Sequence, residues 1–288
     1  MKKLSFSGHE TFACKIYWLK KGYDFVKSGK RFTDEDAVVE LGVGKNMVTS
    51  IRFWLKAFGI LDDEDQLSDL ADFLLGEYGV DIYLEDPMSI WLLHYELIKQ
   101  EKASIYSLAF NQFRREKTEF TKENLRRFIM RKTEEAQVTF SPKTVDSDLK
   151  VFLSNYISSN PNDIEEGYSN ILQELNLITT FKQMDDQGHM ADWYRFDLHE
   201  KQELPIEALL YVILDNEDYG VSISLSALAN DQAGVGNVFL LTESVLSQKL
   251  YTIPTQYGVF TETAGNPVLQ LKNDLDKWTI LRNYYAVG

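Results

Sequence analysis

Five side chains between residues 45 and 56 carry the chemistry of a nucleic-acid contact: Lys45, Asn46, Thr49, Arg52 and Lys56. Lysine and arginine neutralise backbone phosphates and release their counterions. Asparagine and arginine suit bidentate hydrogen bonds to the edges of adenine and guanine. Steps of about 100° per residue place Lys45, Asn46, Thr49, Phe53 and Lys56 on one side of a helix, with Arg52 at the boundary. Met47, Val48, Ile51, Leu55 and Phe58 fall on the opposite arc. Such a face meets DNA, or it stays solvated or faces an acidic partner; DNA is the expectation taken forward.

The elements that must hold this face are short helices. Tyr17, Trp18, Leu19 and Val26 form an apolar stretch that closes at Ser28-Gly29-Lys30, a turn signal. Thr33 is the expected N-cap of a helix running through Ala37, Val38, Val39 and Leu41, with acidic residues in its first turn. Gly42-Val43-Gly44 stops it, and a second helix starts at Lys45 and ends at Gly59. Helix, glycine turn and amphipathic helix make the helix-turn-helix plan. Leu61 to Leu67 is expected as a wing-like hairpin, and Ser68 as the cap of a further helix through Leu70 and Leu74.

Beyond this module, Pro87 opens an apolar helix through Ile98 that is expected to be buried between modules. Residues 111–132 read as basic and helical, and Ser141-Pro142 as an N-cap with proline at the first helical position. A hairpin is expected from Phe181 to Trp193-Tyr194-Arg195-Phe196, turning at Asp185-Asp186-Gln187-Gly188. Helices start after Pro205, at Ser224 or Ser226, and at Glu243, and an apolar helix containing Trp278 and Leu281 ends the chain. The fold class is therefore mainly α: tandem winged-helix or helix-turn-helix-like modules with short β-hairpins and a C-terminal helical part. The expected domains are 1–100, 101–203 and 204–288.

Other residues that look chemically competent explain less. Ser7-Gly8-His9-Glu10-Thr11-Phe12 is an unusual polar cluster, but His9, Glu10 and Cys14 match no common zinc spacing. His9, Glu10 and Thr11 are assigned a structural role, tying the first helix into its module. Gly42-Val43-Gly44-Lys45-Asn46 is not a phosphate loop, because Val39 and Asn46 stand where glycine and Ser/Thr are required. Asp146, Asp148 and Lys150, or Asp274, Asp276 and Lys277, have the residue types of a Mg²⁺-dependent nuclease; both sets are expected among solvated helix charges. No nucleophile elbow occurs, and His94 reads as a satisfied core histidine. Catalytic residues are unassigned, no metal site is expected, and no cofactor is expected unless Mg²⁺ serves a nickase.

Charge is distributed unevenly over the 288 residues. The net charge is −14, yet residues 1–60 hold 11 Lys+Arg against 6 Asp+Glu, whereas 61–100 hold 1 against 11. Residues 101–150 hold 11 against 8, and 151–288 hold 7 against 19. Phosphate contacts depend on potential within about 10 Å at cellular salt, so a basic patch can work on an acidic protein. No stretch of about 18 apolar residues is present, and the N-terminal segment lacks the apolar core of a signal peptide. The lone Cys14 makes no internal disulfide, and the expected location is cytoplasmic.

Several segments resemble a bacterial family described as a domain of unknown function: Phe6-Ser-Gly-His-Glu-Thr-Phe12, Trp18-Leu-Lys-Lys-Gly-Tyr-Asp24, Leu41-Gly-Val-Gly-Lys-Asn-Met-Val48 with Ile51-Arg-Phe-Trp54, and Trp91-Leu-Leu-His94. Glu174-Leu-Asn-Leu-Ile178 and Glu262-Thr-Ala-Gly265 extend the likeness to most of the chain. That family is similar to SspB, a component of bacterial DNA phosphorothioation systems, which replace a non-bridging phosphate oxygen with sulfur and serve in phage defence. The resemblance implies double-stranded DNA as a partner, with a cysteine desulfurase, an ATPase and an ATP-pyrophosphatase as further components. It implies a DNA-binding component that positions DNA for modification, with a Mg²⁺-dependent DNA nickase as the first alternative. A transcriptional regulator is the second alternative, and a homodimer is compatible with it.

Overall fold

Glycine and capping chemistry set the ends of the first helices. Helix α1 (Ile16–Lys27) is followed by turns over residues 32–36 and by α2 (Ala37–Leu41), whose N-cap is Asp36. Thr33 is therefore not the cap. The Asp34 carboxylate accepts the backbone N–H of Arg31 at 2.8 Å, and such local bonds favour turns over helix. Gly42 ends α2 at φ 60° and ψ 35°, the left-handed conformation in which a Cβ is costly. After the turn Gly42-Val43-Gly44, α3 runs Lys45–Ala57. Phe25, Ala37, Leu41 and Val48 pack together beneath this turn.

The computed structural model describes residues 4–157, 170–184, 188–263 and 265–287. The chain divides into two units, Met1–Asp197 and Leu198–Gly288. The boundary expected at residue 100 lies inside the first unit, and the one expected at residue 203 lies close to the observed division.

In the first unit an antiparallel bridge between Leu61 and Leu67 closes the acidic loop 62–66, where the wing-like hairpin was expected. Helix α4 (Asp69–Leu75) starts at Ser68, whose hydroxyl accepts the Ala71 N–H at 3.1 Å. Helix α5 (Pro87–Gln100) is buried on all faces from Met88 to Ile98. The basic stretch 111–132 is not one helix. Helix α6 (Ser104–Leu108) passes through a π-turn at Ala109–Phe113 into α7 (Arg114–Glu116), and strand β1 (Glu119–Phe120) precedes α8 (Lys122–Glu135). The interruption lets Phe113 and Phe120 both enter the core, with ring centroids 5.1 Å apart and Phe120 5.0 Å from Phe196.

Helix α9 (Pro142–Tyr156) is capped by Ser141, as expected. A 3₁₀ turn at Gln173–Leu175 leads to strands β2 (Ile178–Met184) and β3 (Met190–Phe196), the expected hairpin. Residues 185–187 of its expected turn lie outside the described residues. Strand order is β1-β3-β2, all antiparallel.

The second unit is not purely helical. Helix α10 (Ile206–Asp215) has Pro205 as its N-cap and is followed by β4 (Ser222–Ser224), α11 (Leu225–Asn230), α12 (Val235–Val238) and α13 (Glu243–Leu250). Strands β5 (Gly258–Thr263) and β6 (Asn266–Leu271) precede the last helix, α14 (Lys277–Val287). The sheet has order β4-β6-β5. Buried Ile223, Leu269 and Leu271 sit between exposed Ser222, Ser224, Gln270 and Lys272, the two-residue period of a strand with one face covered. That period is too short here to register against the surrounding helical pattern. In both units a short strand, then helices, then a hairpin follow in order, and the short strand pairs with the second strand of the hairpin. The chain is thus mainly α with two small antiparallel sheets. Among the described residues no helix is long and apolar enough to cross a membrane.

The left-handed exit from α2 makes a direct prediction. Gly42→Ala meets no neighbouring atom within 4 Å, so its cost is conformational, about 1 kcal/mol. Thermal melting is expected to fall by about 2–4 °C for a unit of this size; an unchanged melting temperature would show that the turn does not need this conformation.

Candidate nucleic-acid interface

The face of α3 expected to meet DNA is divided in two by its surroundings. Lys45, Asn46 and Thr49 are exposed along the first turns. Among the described residues Lys45 and Asn46 have no side-chain partner, and the Thr49 hydroxyl donates to the carbonyl of Lys45 at 3.4 Å. Arg52 and Lys56, one and two turns further on, are engaged within the protein. Arg52 Nε donates to Asp65 Oδ1 at 3.0 Å and Nη2 to Oδ2 at 2.7 Å. Lys56 Nζ lies 2.8 Å from Asp65 Oδ1 and donates to the carbonyl of Asp63 at 2.7 Å. The acidic loop thus folds back on α3.

Burial alone would raise the Asp65 pKa, but the hydrogen bonds and charges of Arg52 and Lys56 outweigh it and leave the carboxyl below its ordinary value. Asp65 had no sequence signal of its own. It is one of four consecutive acidic residues, and only the Leu61–Leu67 closure turns it towards Arg52.

A second arrangement fixes α3 from behind. The segment from Ser5 to Lys15 runs as a strap between α3, α6 and α9. Ser50 Oγ on α3 donates to the carbonyl of His9 at 3.0 Å, and Trp54 Nε1 donates to the carbonyl of Phe12 at 3.0 Å. From the α9 side, Asp148 accepts the Ser7 N–H at 3.0 and 3.2 Å, and Asn155 Oδ1 accepts the Cys14 N–H at 3.0 Å. Ser104 on α6 accepts the Ser5 N–H at 2.8 Å.

His9 is at the centre. It is 2% exposed, stacks on Trp54 with an interplanar angle of 14°, and has Nε2 3.2 Å from Oδ1 of Asp148, itself 1% exposed. This is an ion-pair distance without hydrogen-bond alignment. Nδ1 accepts the Thr11 N–H at 3.2 Å, which leaves the proton of a neutral ring on Nε2, facing the carboxylate.

Ser7, Glu10 and Thr11 have φ of 69°, 48° and 70°, costly for side chains with a Cβ. Gly8 passes so close to α3 that a Cβ there would lie 2.3 Å from a ring carbon of Phe53. This strap covers Phe53, which explains an aromatic residue on the polar side of the helix. His9 is buried in this strap, while Glu10 and Thr11 are exposed turn residues of it. Burial pushes the Cys14 thiol pKa well up, which keeps it protonated and unreactive.

Of the candidate metal-binding carboxylates, Asp146, Asp148 and Asp276 each face another group, and Asp274 is exposed. Asp146 Oδ1 lies 3.0 Å from Arg126 Nε, whereas Asp148 is buried against His9 and not among solvated charges. Asp276 Oδ2 accepts the Thr279 N–H and hydroxyl at 2.8 and 2.7 Å, at the start of α14, and Lys277 pairs with Asp215. Among the described residues no three His, Cys, Asp or Glu side chains converge. The arginines of α8 face acids: Arg127 meets Glu123 at 2.7 Å and Arg131 meets Glu116 at 2.5 Å. His94 is fully buried, with Nδ1 3.1 Å from the Tyr156 hydroxyl.

This is a mainly α protein with an exposed polar helix tip whose helix is fixed by a strap anchored through buried His9. The chain belongs to the family described as "Protein of unknown function (DUF4007)", whose profile matches residues 6–285. Two solved structures, "SspB crystal structure" and "Magnesium ion-bound SspB crystal structure", are each similar to it at 28% identity and a TM-score of 0.82. Each match covers 99% of this chain and 88% of the other, so the family is SspB-like. Among curated proteins no match is found.

Two outcomes follow from this geometry. Asp148→Ala removes the acceptor of Ser7 and leaves His9 facing a cavity, so it is expected to cost about 3 kcal/mol in denaturant unfolding. In a double-mutant cycle with His9→Ala the two losses should be strongly non-additive; simple addition would show that the pair is not coupled. The second concerns pH. Because the Asp65 pKa is depressed, the stability it contributes is present above the unfolded carboxylate value, about 3.9, and is lost as pH falls through the lower folded value. NMR titration of the Asp65 carboxyl should give a midpoint below that of a free aspartate, and a normal midpoint would contradict the clamp.

Proposed function

We propose that this chain is a DNA-binding component of a bacterial phosphorothioation system, and that the N-terminal half of α3 is its contact with duplex DNA. The observation that carries the reading is the exposed trio Lys45, Asn46 and Thr49 at the start of a helix that follows a three-residue turn. This is where a helix-turn-helix module presents base-reading side chains. The loop 62–66 takes the place of a wing. The strand order shared by the two sheets, with the short strand against the second strand of the hairpin, supports reading both as winged-helix modules. On that reading α9 and α13 are the counterparts of α3. Helix α9 has its Asp148 and Asn155 side covered by the strap. The exposed residues of α13 are Glu243, Ser244 and Gln248, while Lys249 donates to the carbonyl of Leu204 at 3.1 Å. Helix α3 is the best suited of the three.

The likeness to SspB supports placing the chain in that pathway; on this reading its partners are double-stranded DNA, a cysteine desulfurase, an ATPase and an ATP-pyrophosphatase, and its setting is phage defence. One SspB structure is described as magnesium-bound. Of the carboxylates of this chain that had the residue types for a metal, Asp146, Asp148 and Asp276 are turned to other groups and Asp274 is exposed, and among the described residues no three ligating side chains converge to hold that ion.

Fluorescence anisotropy with a labelled duplex at several salt concentrations tests the proposal. Wild type should bind with log Kd linear in log salt. Lys45→Glu should weaken binding to all sequences and flatten the slope by at least about 1. Asn46→Ala should lose about 1–3 kcal/mol of discrimination at one base pair. No duplex binding by wild type would overturn the proposal. Open-circle plasmid produced with Mg²⁺ but not with EDTA would favour the nickase, and a single high-affinity operator would favour a transcriptional regulator.

A further inference from the structure

The geometry points to Asp65 as an internal stand-in for a DNA phosphate, holding Arg52 and Lys56 in the free protein and yielding them when duplex binds. The inference rests on the proposed role of α3 and adds a regulatory device to it. A carboxylate facing Nε and Nη2 of one guanidinium, at 3.0 and 2.7 Å, occupies the fork that a phosphate would take. A second cation, Lys56, reaches the same carboxylate at 2.8 Å, so two of the five cationic or polar residues of the interface are satisfied by one acid.

The loop is built to deliver that acid. Asp62 Oδ1 accepts the N–H groups of Glu64 and Gln66 at 2.9 and 2.8 Å, folding the turn, and Asp65 adopts φ 63°. That left-handed conformation is one aspartate adopts more readily than most side chains, and it suits the tight turn. Asp62, Asp63 and Glu64 are exposed beside it. With the loop in place, a phosphate approaching Arg52 would meet these charges, so contact requires the loop to withdraw. Withdrawal need not disturb the core, because the Leu61–Leu67 bridge closes the loop at its base. Nor is it energetically prohibitive. The pair is partly exposed, with Arg52 at 39% and Asp65 at 30%, and such pairs are weak compared with a protein–DNA complex. The exchange therefore lowers the affinity of every binding mode that needs Arg52 and Lys56 by the same factor.

The test uses the full chain and a duplex probe in the anisotropy titration. Asp65→Asn is expected to bind duplex about fivefold more tightly at moderate salt, the scale of an exposed ion pair released from competition. Glu64→Gln serves as the control for simple removal of a negative charge and should change affinity much less. In an Arg52→Gln/Lys56→Gln background, Asp65→Asn should have no further effect, because the carboxylate acts only through those cations. An Asp65→Asn variant that folds, by its thermal melt, yet binds no more tightly overturns the inference. A gain that persists in the double-Gln background also overturns it, since that is general repulsion. Failure of the DNA reading looks different: neither wild type nor Asp65→Asn binds duplex at all, and both ideas fall together.

Discussion

The buried polar seam between α3 and α9 is the constraint on which the first unit depends. His9 and Asp148 are withdrawn from water together, and a carboxylate in that position is tolerable only because the Ser7 N–H and the imidazole face it. The same seam fixes the strap through three residues of left-handed backbone. Strain and desolvation of this kind persist only where surrounding contacts over-determine the geometry. Here those contacts are the Ser50 and Trp54 hydrogen bonds, the stacked indole, and the Phe53 ring packed on Gly8. Their product is a helix whose inner side is fixed to two other elements, and whose tip remains in solvent.

That division of labour makes sense of a chain with net charge −14. Much of the positive charge in residues 101–150 is spent within the first unit, as Arg126, Arg127, Arg131 and Lys132 face Glu123, Glu116, Glu135 and Asp146. The cations of α3 fall into two groups: Lys45 stands open, while Arg52 and Lys56 are held by Asp65. Recognition by such a surface depends on placement more than on bulk charge. An acidic body also disfavours indiscriminate association with polyanions.

Much of this was legible in the residues. The glycine turn, the start of α3 at Lys45, the caps at Ser68 and Ser141 and the hairpin ending at Phe196 all have local chemical causes, so they could be read from neighbours in sequence. The strand segments β1, β4, β5 and β6 could not. Each is short and pairs with a distant partner, and its two-residue alternation is brief enough to vanish among helical patterns. Asp65 and Asp148 were illegible for the same reason. One sits in an acidic run and the other in a run of helix charges, and nothing local tells that one turns back on Arg52 while the other is buried against His9. Thr33 shows the converse error: a good cap by type, it lies within the turns over residues 32–36, and the helix starts only after Asp36.

Hydrogen–deuterium exchange of the full chain, with and without a saturating duplex, tests the central claim most directly. The account predicts new protection centred on the amides of residues 45–52, accompanied by faster exchange in the loop 62–66 as it releases its cations, with α13 unchanged. Protection concentrated on α13 or on the β5–β6 hairpin, with 45–52 unaffected, would contradict it.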